Sequence, residues 1–291
     1  MRIAFFSEDN FGLAVLERLV KEHTIVFVVS PYFSNPTSKR LERWCARNQL
    51  MYVRSRDVNG PVVMKGMRET HPDLLVSVHF SKLLRREIYQ LPRLGAINLH
   101  PSLLPKYRGM SPQHWPIING EKETGITVHF IADQADTGAI VRQIKVPILS
   151  EETVFDLQRR MLPIYCDTVS DAVAAIAKGE RGAPQEGESG IYYGKFQPEF
   201  AIINLRQGKQ QVFDLVRAIT RPYKGAFFAG RRIWKVSFMS AEEERVCMAA
   251  YARCGIVEEA LQVPFLRLLD GCLRIDEMTV EERDFNERTS D

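Results

Sequence analysis

Cysteine is scarce in this sequence, and its spacing excludes two common ways of stabilising a fold. The chain has 291 residues and five cysteines, an odd number, and no two of them are spaced as Cys-x-x-Cys. A disulfide framework and a structural zinc site both need closely patterned cysteines. We therefore expect reduced thiols and a protein of the cytoplasm. The cysteines are Cys45, Cys166, Cys247, Cys254 and Cys272.

Long apolar runs and an excess of one charge are also lacking. No apolar stretch approaches the roughly 20 residues that span a membrane, and Met1-Arg2 leads into the short apolar run Ile3–Phe6, too short for a signal peptide. The formal net charge is +3 at pH 7, and basic and acidic residues are equal in number over residues 201–291. This balance does not favour a membrane or a nucleic acid as partner.

The first half of the chain contains apolar runs that alternate with amphipathic stretches. Runs such as Thr24–Ser30 and Leu74–Val78 predict buried strands, and the stretches between them have helical spacing. This order predicts an α/β fold with a doubly wound, mostly parallel, Rossmann-like sheet. Glycine, glutamate and proline at about residues 179–200 predict a linker between a domain over residues 1–190 and a second over 201–291. Short strand-like runs in the second domain predict a small OB-like barrel.

The first predicted strand–helix turn lacks the glycines of a dinucleotide site. The turn reads Ser7-Glu8-Asp9-Asn10-Phe11-Gly12, with one glycine and with two acids where a pyrophosphate would approach. The sequence therefore argues against NAD and FAD as cofactors.

Asn98 and His100 are the first candidates for catalysis. They are two residues apart at the end of a predicted strand, so their side chains project from the same face. Asp136 precedes Thr137-Gly138 in a predicted turn that could return its carboxylate to the imidazole. An amide can hold an oxyanion, an imidazole can take a proton and a carboxylate can orient it, as acyl transfer requires. For this triplet alone, a hydrogen-bonded core histidine remains the alternative.

The longer pattern around the triplet resembles a known family. It begins with Asn98-x-His100-Pro101-Ser102-Leu103-Leu104-Pro105-x-Tyr107-Arg108-Gly109. It continues with Asn119-Gly120-Glu121-x-Glu123-Thr124-Gly125-Ile126-Thr127 and then Asp136-x-Gly138. The pattern is similar to that of the formyltransferases that use 10-formyltetrahydrofolate, a superfamily that includes glycinamide ribonucleotide, methionyl-tRNA and sugar-nucleotide formyltransferases.

Within this superfamily the chain is most similar to the sugar-nucleotide N-formyltransferases, such as the formyltransferase domain of the bifunctional UDP-aminoarabinose enzyme. Val216-Arg217-Ala218 and Gly225-Ala226-Phe227 resemble the C-terminal domain of methionyl-tRNA and some sugar-nucleotide formyltransferases. Glycinamide ribonucleotide formyltransferases lack that domain. The chain departs from the aminoarabinose enzyme over Gly109–His114, after the shared loop, which leaves the sugar and the base open.

The resemblance implies a role for each residue of the pattern. Asn98 would stabilise the oxyanion, His100 would relay the amine proton and Asp136 would raise the pKa of His100. The implied folate-binding residues are Lys82, Leu83, Leu84, Ala132, Asp133, Gln134, Ala135 and Asp136. The implied substrate-binding residues are Ser102, Tyr107 and Arg108. Arg108 would hold a substrate phosphate or, alternatively, form a salt bridge within its loop. No metal is implied.

The function that follows is an N-formyltransferase acting on the amine of a UDP- or dTDP-linked amino sugar. The alternatives are methionyl-tRNA formyltransferase, formylation of another small amine such as hydroxyornithine, and a folate-binding sensor without turnover. A locally basic run could favour tRNA, but nearby acids balance it. That run comprises Arg217, Arg221, Lys224, Arg231, Arg232 and Lys235. The oligomeric state stays open, a homodimer included.

Overall fold

The structure is a computed structural model, and it describes residues 1–32, 36–186, 191–250, 255–257 and 264–280. Within these residues Cys45, Cys166, Cys247 and Cys272 are free thiols, whereas Cys254 lies outside them. No helix in this part of the chain is long and apolar enough to cross a membrane.

The secondary structure alternates in the first half and becomes β-rich near the end. The strands are β1 (Arg2–Ser7), β2 (Thr24–Pro31), β3 (Tyr52–Ser55), β4 (Leu74–Val78), β5 (Ala96–His100), β6 (Glu123–Phe130), β7 (Ile140–Pro147), β8 (Ala226–Phe228), β9 (Arg231–Phe238), β10 (Gly255–Val257), β11 (Phe265–Leu268) and β12 (Gly271–Val280). The helices are α1 (Asn10–Leu19), α2 (Pro36–Arg47), α3 (Pro61–Thr70), α4 (Arg86–Tyr89), α5 (His114–Ile118), α6 (Val154–Ala177), α7 (Lys209–Ile219) and α8 (Ala241–Ala250), with a 3₁₀ turn at Pro198–Ala201.

The chain forms two compact units. The first comprises Met1–Pro112, Thr124–Val146 and Arg160–Tyr193. The second comprises Gln113–Glu123, Pro147–Arg159 and Gly194–Asp291.

The first unit contains a seven-stranded sheet in the order β3-β2-β1-β4-β5-β6-β7. Strands β3, β2, β1, β4 and β5 are parallel, and β6 pairs antiparallel with β5. Every residue of β1 from Ile3 to Ser7 is buried, so both faces of the sheet are covered. The mostly parallel α/β fold predicted from the sequence is confirmed.

A hydrophobic cluster packs α3 and α4 against this sheet. Phe6, Phe27, Val63 and Met67 belong to it and are almost completely buried. A Cβ atom on Gly66 would lie 2.4 Å from the ring of Phe27, so a glycine here allows α3 to approach the sheet. Burial of each such large apolar side chain stabilises the fold by roughly 1.5–3 kcal/mol.

The second unit contains a five-stranded sheet in the order β10-β11-β12-β9-β8, with antiparallel pairing throughout. Two of its strands, β11 and β12, form a hairpin in which the chain reverses at Leu269-Asp270. Helix α8 was not predicted, although Ser240 and Glu243 form a capping box at its start, with Ser240 N donating to Glu243 Oε2 at 2.9 Å.

Candidate active site

The candidate site lies at the carboxyl end of β5, within the first unit. Ser77 on β4 is the register partner of Asn98, and His129 on β6 is its partner on the other side. Ligands of open α/β sheets bind beyond the carboxyl ends of parallel strands. Asn98 and His100 therefore lie where this fold places its ligands.

His100 is buried, and one of its ring nitrogens is fixed by the backbone. Its Nε2 lies 2.8 Å from the carbonyl oxygen of Tyr107, which can only accept, so Nε2 carries a hydrogen and donates it. Its Nδ1 lies 3.6 Å from Oδ1 of Asp136. In the neutral ring Nδ1 is therefore the nitrogen that can accept a proton, and a carboxylate stands beside it.

Asp136 is held in an unusual backbone conformation next to this ring. Its φ is +57°, in the left-handed region that residues with a side chain rarely occupy. Its Oδ2 accepts a hydrogen bond from Gly109 N at 2.9 Å, and its Oδ1 lies 3.6 Å from Nε2 of His129. Burial by itself raises the pKa of Asp136. Hydrogen bonding to His129, the charges of both histidines and the Gly109 N–H outweigh burial and lower the pKa to about 2.

The pKa of His100 is lowered from its ordinary value. Burial, which disfavours the charged ring, is the largest cause, and the charges of His129 and His79 act in the same direction. Asp136 and the Tyr107 carbonyl raise the pKa but do not outweigh burial. Asp136 thus raises the pKa of His100 as expected, while burial makes the net shift a lowering. A neutral His100 near pH 7 is the form that can act as a base.

Asn98 is paired with a histidine that the sequence argument left out of the site. Its Nδ2 lies 3.4 Å from His129 Nε2, and His129 Nδ1 lies 2.8 Å from the carbonyl of Phe130, which makes Nδ1 a donor. His129 Nε2 therefore faces both the Asn98 amide and Oδ1 of Asp136: with a hydrogen it pairs with the carboxylate, and without one it can accept one N–H of the amide. The amide carries two hydrogens, so its second N–H remains available to an oxyanion.

The loop that follows His100 is held by side chains inside it and beneath it. Ser102 is fully buried, and its hydroxyl donates to the carbonyl of Lys106 at 2.8 Å. Thr127 Oγ1 donates to the Ser102 carbonyl at 2.6 Å and accepts from Gln143 Nε2 at 2.9 Å. Because the loop is held in this way, Tyr107 presents its carbonyl to His100.

The other two predicted substrate residues lie on the same loop. Tyr107 is buried, with its ring stacked on that of Tyr193 at 5.3 Å between centroids. Arg108 is half-buried, and its Nε donates to the carbonyl of Asp136 at 3.1 Å while its Nη2 donates to Gln185 Oε1. Arg108 thus joins its loop to the Asp136 turn through the Asp136 carbonyl, and it also binds the side-chain amide of Gln185.

The two predicted folate segments lie beside one another. Residues 82–84 lead into α4, from which Arg86 and Tyr89 both bind the carboxylate of Asp133, with Arg86 Nε at 3.1 Å from Oδ1. Leu83 is exposed, and its carbonyl accepts from Asn59 Nδ2 at 3.0 Å. The contact between α4 and Asp133 holds residues 82–84 and 132–136 together.

In the first strand–helix turn, the Asp9 carboxylate binds the backbone N–H groups at the start of α1. Asp9 Oδ1 accepts hydrogen bonds from the N–H groups of Phe11 and Gly12, both at 3.0 Å. These donors are the ones that a pyrophosphate would use at a helix N-terminus. In the residues that the structure describes, no group of three or more His, Cys, Asp or Glu side chains is arranged to hold a metal ion.

Two residues of the site, His129 and Gln185, were not predicted from the sequence, for different reasons. His129 is the antiparallel partner of Asn98, and its place follows from the pairing of β6 with β5. Gln185 donates to the carbonyl oxygens of Asp136 and Gly138 at 2.8 and 3.0 Å from beyond α6. No local pattern signals such a contact, because it is set by the path of the chain after a long helix.

The sequence matches one protein family over more than half its length. A family model described as formyl transferase matches residues 1–169. The Helicobacter canadensis N-formyltransferase, solved with folinic acid and dTDP-3-aminofucose, is 19% identical, with 94% of this chain and 98% of that chain covered and a TM-score of 0.72.

Two further solved structures share the fold. A sugar N-formyltransferase from a Shewanella species is 24% identical, covering 78% of this chain and 91% of that chain with a TM-score of 0.63. Glycinamide ribonucleotide transformylase 1 from Symbiobacterium toebii is 23% identical, covering 64% of this chain and 94% of that chain with a TM-score of 0.55. At these identities the likeness is one of fold.

Proposed function

This chain belongs to the formyl transferase family, and we propose that it moves the formyl group of 10-formyltetrahydrofolate to the amine of an amino-sugar nucleotide. The observation that carries the proposal is the cluster of Asn98, His100 and Asp136 at the carboxyl end of β5. An amide donor, a neutral imidazole and a carboxylate supply what acyl transfer to an incoming amine needs.

Each of the three side chains has one task in the proposed reaction. As the amine attacks the formyl carbon, the free N–H of Asn98 donates to the oxyanion that forms on the formyl oxygen. Nδ1 of His100 takes the proton that the attacking nitrogen loses, and Asp136 stabilises the resulting imidazolium. Collapse of the intermediate breaks the bond to the folate nitrogen, and His100 returns the proton to that nitrogen.

The proposed folate site consists of residues 82–84 and 132–136. Asp136 belongs to both the folate site and the catalytic cluster. Leu83 exposes 73% of its surface and offers an apolar face, while the backbone around Ala132 and Gln134 offers polar groups to a pterin edge. Lys82, Leu84, Asp133 and Ala135 complete these segments. A flat heterocycle with a polar edge fits apolar contact on its faces and backbone hydrogen bonds at its rim.

The proposed acceptor site is the loop that contains Ser102, Tyr107 and Arg108. Guanidinium carries five N–H donors, of which Arg108 uses Nε for Asp136 O and one at Nη2 for Gln185. We propose that Arg108 binds a phosphate of the nucleotide through its other donors. Ser102 and Tyr107 are buried and would shape the loop that presents Arg108.

We also propose three features that the sequence suggested. These are an OB-like arrangement of the five-stranded sheet, a linker near residues 190–201 after which the chain belongs only to the second unit, and action in the cytoplasm, where folate donors are used. The balanced charge of residues 201–291 supports a small-molecule acceptor over tRNA.

The test is formylation of a panel of UDP- and dTDP-linked amino sugars, measured by mass against methionyl-tRNA in parallel. The assay is run from about 50 to 300 mM salt, because tRNA affinity falls with a log–log slope of about −0.7 to −0.9 per phosphate contact. We expect transfer to a sugar nucleotide with a shallow salt dependence and none to methionyl-tRNA. Efficient, salt-sensitive transfer to methionyl-tRNA with a silent sugar panel would falsify the proposal and favour the tRNA enzyme.

A further inference from the structure

The segment that follows α6 returns to the candidate site and crosses both of its loops. Ile140 N donates to the Ala183 carbonyl at 2.7 Å, and Ala183 N donates back to the Ile140 carbonyl at 2.8 Å. Tyr193 N donates to the Arg108 carbonyl at 2.8 Å, and Met110 N donates to the Tyr193 carbonyl at 2.7 Å. Residues 183–186 and 191–193 therefore belong structurally to the site.

Gln185 lies at the centre of these contacts and uses both ends of its amide. Its Nε2 donates to the carbonyl oxygens of Asp136, at 2.8 Å, and Gly138, at 3.0 Å. Its Oε1 accepts from Arg108 Nη2 at 2.5 Å. One side chain thus joins the loop after β5 to the turn before β7.

The turn that Gln185 holds has a constrained backbone. Asp136 has a φ of +57°, in the left-handed region where few residues other than glycine, asparagine and aspartate are found. At Gly138 the backbone is also tightly packed, since a Cβ atom there would lie 1.8 Å from the Phe130 carbonyl oxygen. The two hydrogen bonds from the Gln185 amide hold the carbonyl groups of Asp136 and Gly138. Because they hold the backbone of Asp136, they also determine the direction of its carboxylate.

We propose that Gln185 is a positioning residue for formyl transfer, which sets the direction of the Asp136 carboxylate toward His100 and ties Arg108 to the same turn. This inference rests on the function proposed above. Gln185 contacts carbonyl oxygens and Arg108, so it acts through Asp136 and Arg108. A shift of about 1 Å in a positioned catalytic group can cost on the order of a hundredfold in rate.

The charged and polar groups that face His100 determine what a shift of Asp136 would do. They are Asp136 from the turn, the Tyr107 carbonyl from the loop, His129 from β6 and His79 beyond β4. Asp136 and the carbonyl raise the pKa of His100, whereas the two histidines lower it. A carboxylate that turns away from His100 therefore lowers the pKa of His100 further.

The test compares Gln185→Leu with wild type and with Glu186→Ala, a control at the exposed neighbouring residue. We expect Gln185→Leu to lower kcat about tenfold to a hundredfold, to leave the KM for the folate donor within about twofold, and to move the acidic limb of the pH profile to lower pH. Gln185→Glu keeps the shape and an acceptor for Arg108 but removes the donors, and it should lower kcat to a similar extent. Glu186→Ala should match wild type.

A second measurement needs no turnover and separates this inference from the proposed function. The His100 imidazole is titrated by NMR in labelled wild-type protein and in Gln185→Leu, with melting temperatures measured in parallel. A lower pKa in Gln185→Leu with an intact fold supports the positioning role, even if no amino sugar is formylated. An unchanged kcat, an unchanged His100 titration, or a loss of activity explained by a lower melting temperature alone would each overturn it.

Discussion

His100 is held through one ring nitrogen and faces a carboxylate with the other. The Tyr107 carbonyl fixes Nε2 as a donor at 2.8 Å, which leaves Nδ1, 3.6 Å from Asp136, as the nitrogen that accepts a proton. Burial keeps the ring neutral before the reaction, and the carboxylate, whose pKa is lowered to about 2, is ready to stabilise it once it becomes charged. His100 thus has an unprotonated Nδ1 that can accept the proton, and the Asp136 carboxylate beside it stabilises the charged ring.

The first prediction concerns the two neighbouring polar side chains on β5. His100→Gln removes the proton acceptor and Asn98→Ala removes an oxyanion donor, so each should lower kcat by about a hundredfold or more. The matched control is His71→Asn, an exposed histidine with a φ of +43°, a conformation that asparagine tolerates. Steady-state formylation with measured melting temperatures checks the prediction, and near-wild-type turnover in either β5 variant would show that its assigned role is wrong.

The sequence predicts that Asn98 and His100 lie together, but it does not predict the positions of His129 and Gln185. Asn98 and His100 share a face because successive side chains of a strand alternate, which is a matter of covalent geometry. The position of His129 depends on β6 pairing antiparallel with β5 in one register. The position of Gln185 depends on where the chain emerges after α6. Such long-range placements are not encoded by any local spacing.

Charged side chains that follow β1 and β4 form a second charged pair near the site. Asp9 caps α1 through Oδ1 and binds Nδ1 of His79 through Oδ2 at 2.9 Å. Burial lowers the pKa of His79, but the charge and hydrogen bond of Asp9, with the charge of Glu8, outweigh it and raise the pKa overall. The carboxylate therefore joins the start of a helix to the end of a strand.

The second prediction separates these two roles of Asp9. Asn is as good a cap as Asp, so Asp9→Asn keeps the cap and loses the ion pair, whereas Asp9→Ala loses both. Near pH 6, Asp9→Asn should lower the free energy of unfolding by about 1.5–3 kcal/mol, as for a hydrogen bond to a charged group. Asp9→Ala should cost about 1 kcal/mol more at every pH.

The pH dependence of this prediction has a definite sign. Because the pKa of His79 is raised on folding, its stabilisation is complete below the unfolded value and is lost as the pH rises through the folded value. The deficit of Asp9→Asn should therefore shrink between about pH 6 and pH 9, on either side of the ordinary histidine pKa of about 6.5. Urea unfolding across this range checks it, with Asp167→Asn on an exposed face of α6 as control. A deficit that grows with pH would contradict the assigned pair.

The alternation of elements in the first unit was predictable because strands β1, β2, β4 and β5 are mostly buried and their sequences are nearly continuous apolar runs. Two short or charged elements were not. Helix α5 has five residues and no side-chain cap, so its signal is too short to stand out. Helix α8 carries Glu242, Glu243 and Glu244 in its first turn, and Ser240 caps it. The Ser240 cap is the sequence feature that indicates helix α8, whereas hydrophobic periodicity does not.

The second unit is assembled from three separate stretches of chain. Arg217 on α7 donates to the carbonyl oxygens of Leu149 and Glu152 at 3.0 and 2.9 Å and pairs with Asp214 at 2.7 Å. Gln158 donates to Gln113 at 3.0 Å and accepts from the Tyr223 hydroxyl at 2.8 Å. The stretch 147–159 therefore has polar partners after residue 194, and Gln158 also binds Gln113 at the start of the stretch 113–123.

The third prediction is that a chain ending at Tyr193 does not fold to a stable monomer. Truncation there would leave the buried Trp115 and Ile117 of α5 without α7, and the carbonyls of Leu149 and Glu152 without Arg217. We expect aggregation on gel filtration and weak near-UV circular dichroism, as for a state that has lost specific packing. A soluble, cooperatively unfolding truncated chain would instead support an independent domain that ends near residue 190.

A milder change in the full-length chain tests the same contacts without removing any backbone. Arg217 and Asp214 expose only 8% and 3% of their side chains, so Arg217→Met leaves a buried carboxylate unpaired. Breaking a buried pair from one side costs about 3–5 kcal/mol, whereas replacing both partners by apolar residues is often close to neutral. Urea unfolding should therefore show a large loss for Arg217→Met and a partial recovery for Asp214→Leu/Arg217→Met. The recovery should stay incomplete, because the Leu149 and Glu152 carbonyls lack their donor in both variants. If the single variant were as stable as wild type, Arg217 would not hold these stretches together, and failure of the truncated chain would need another cause.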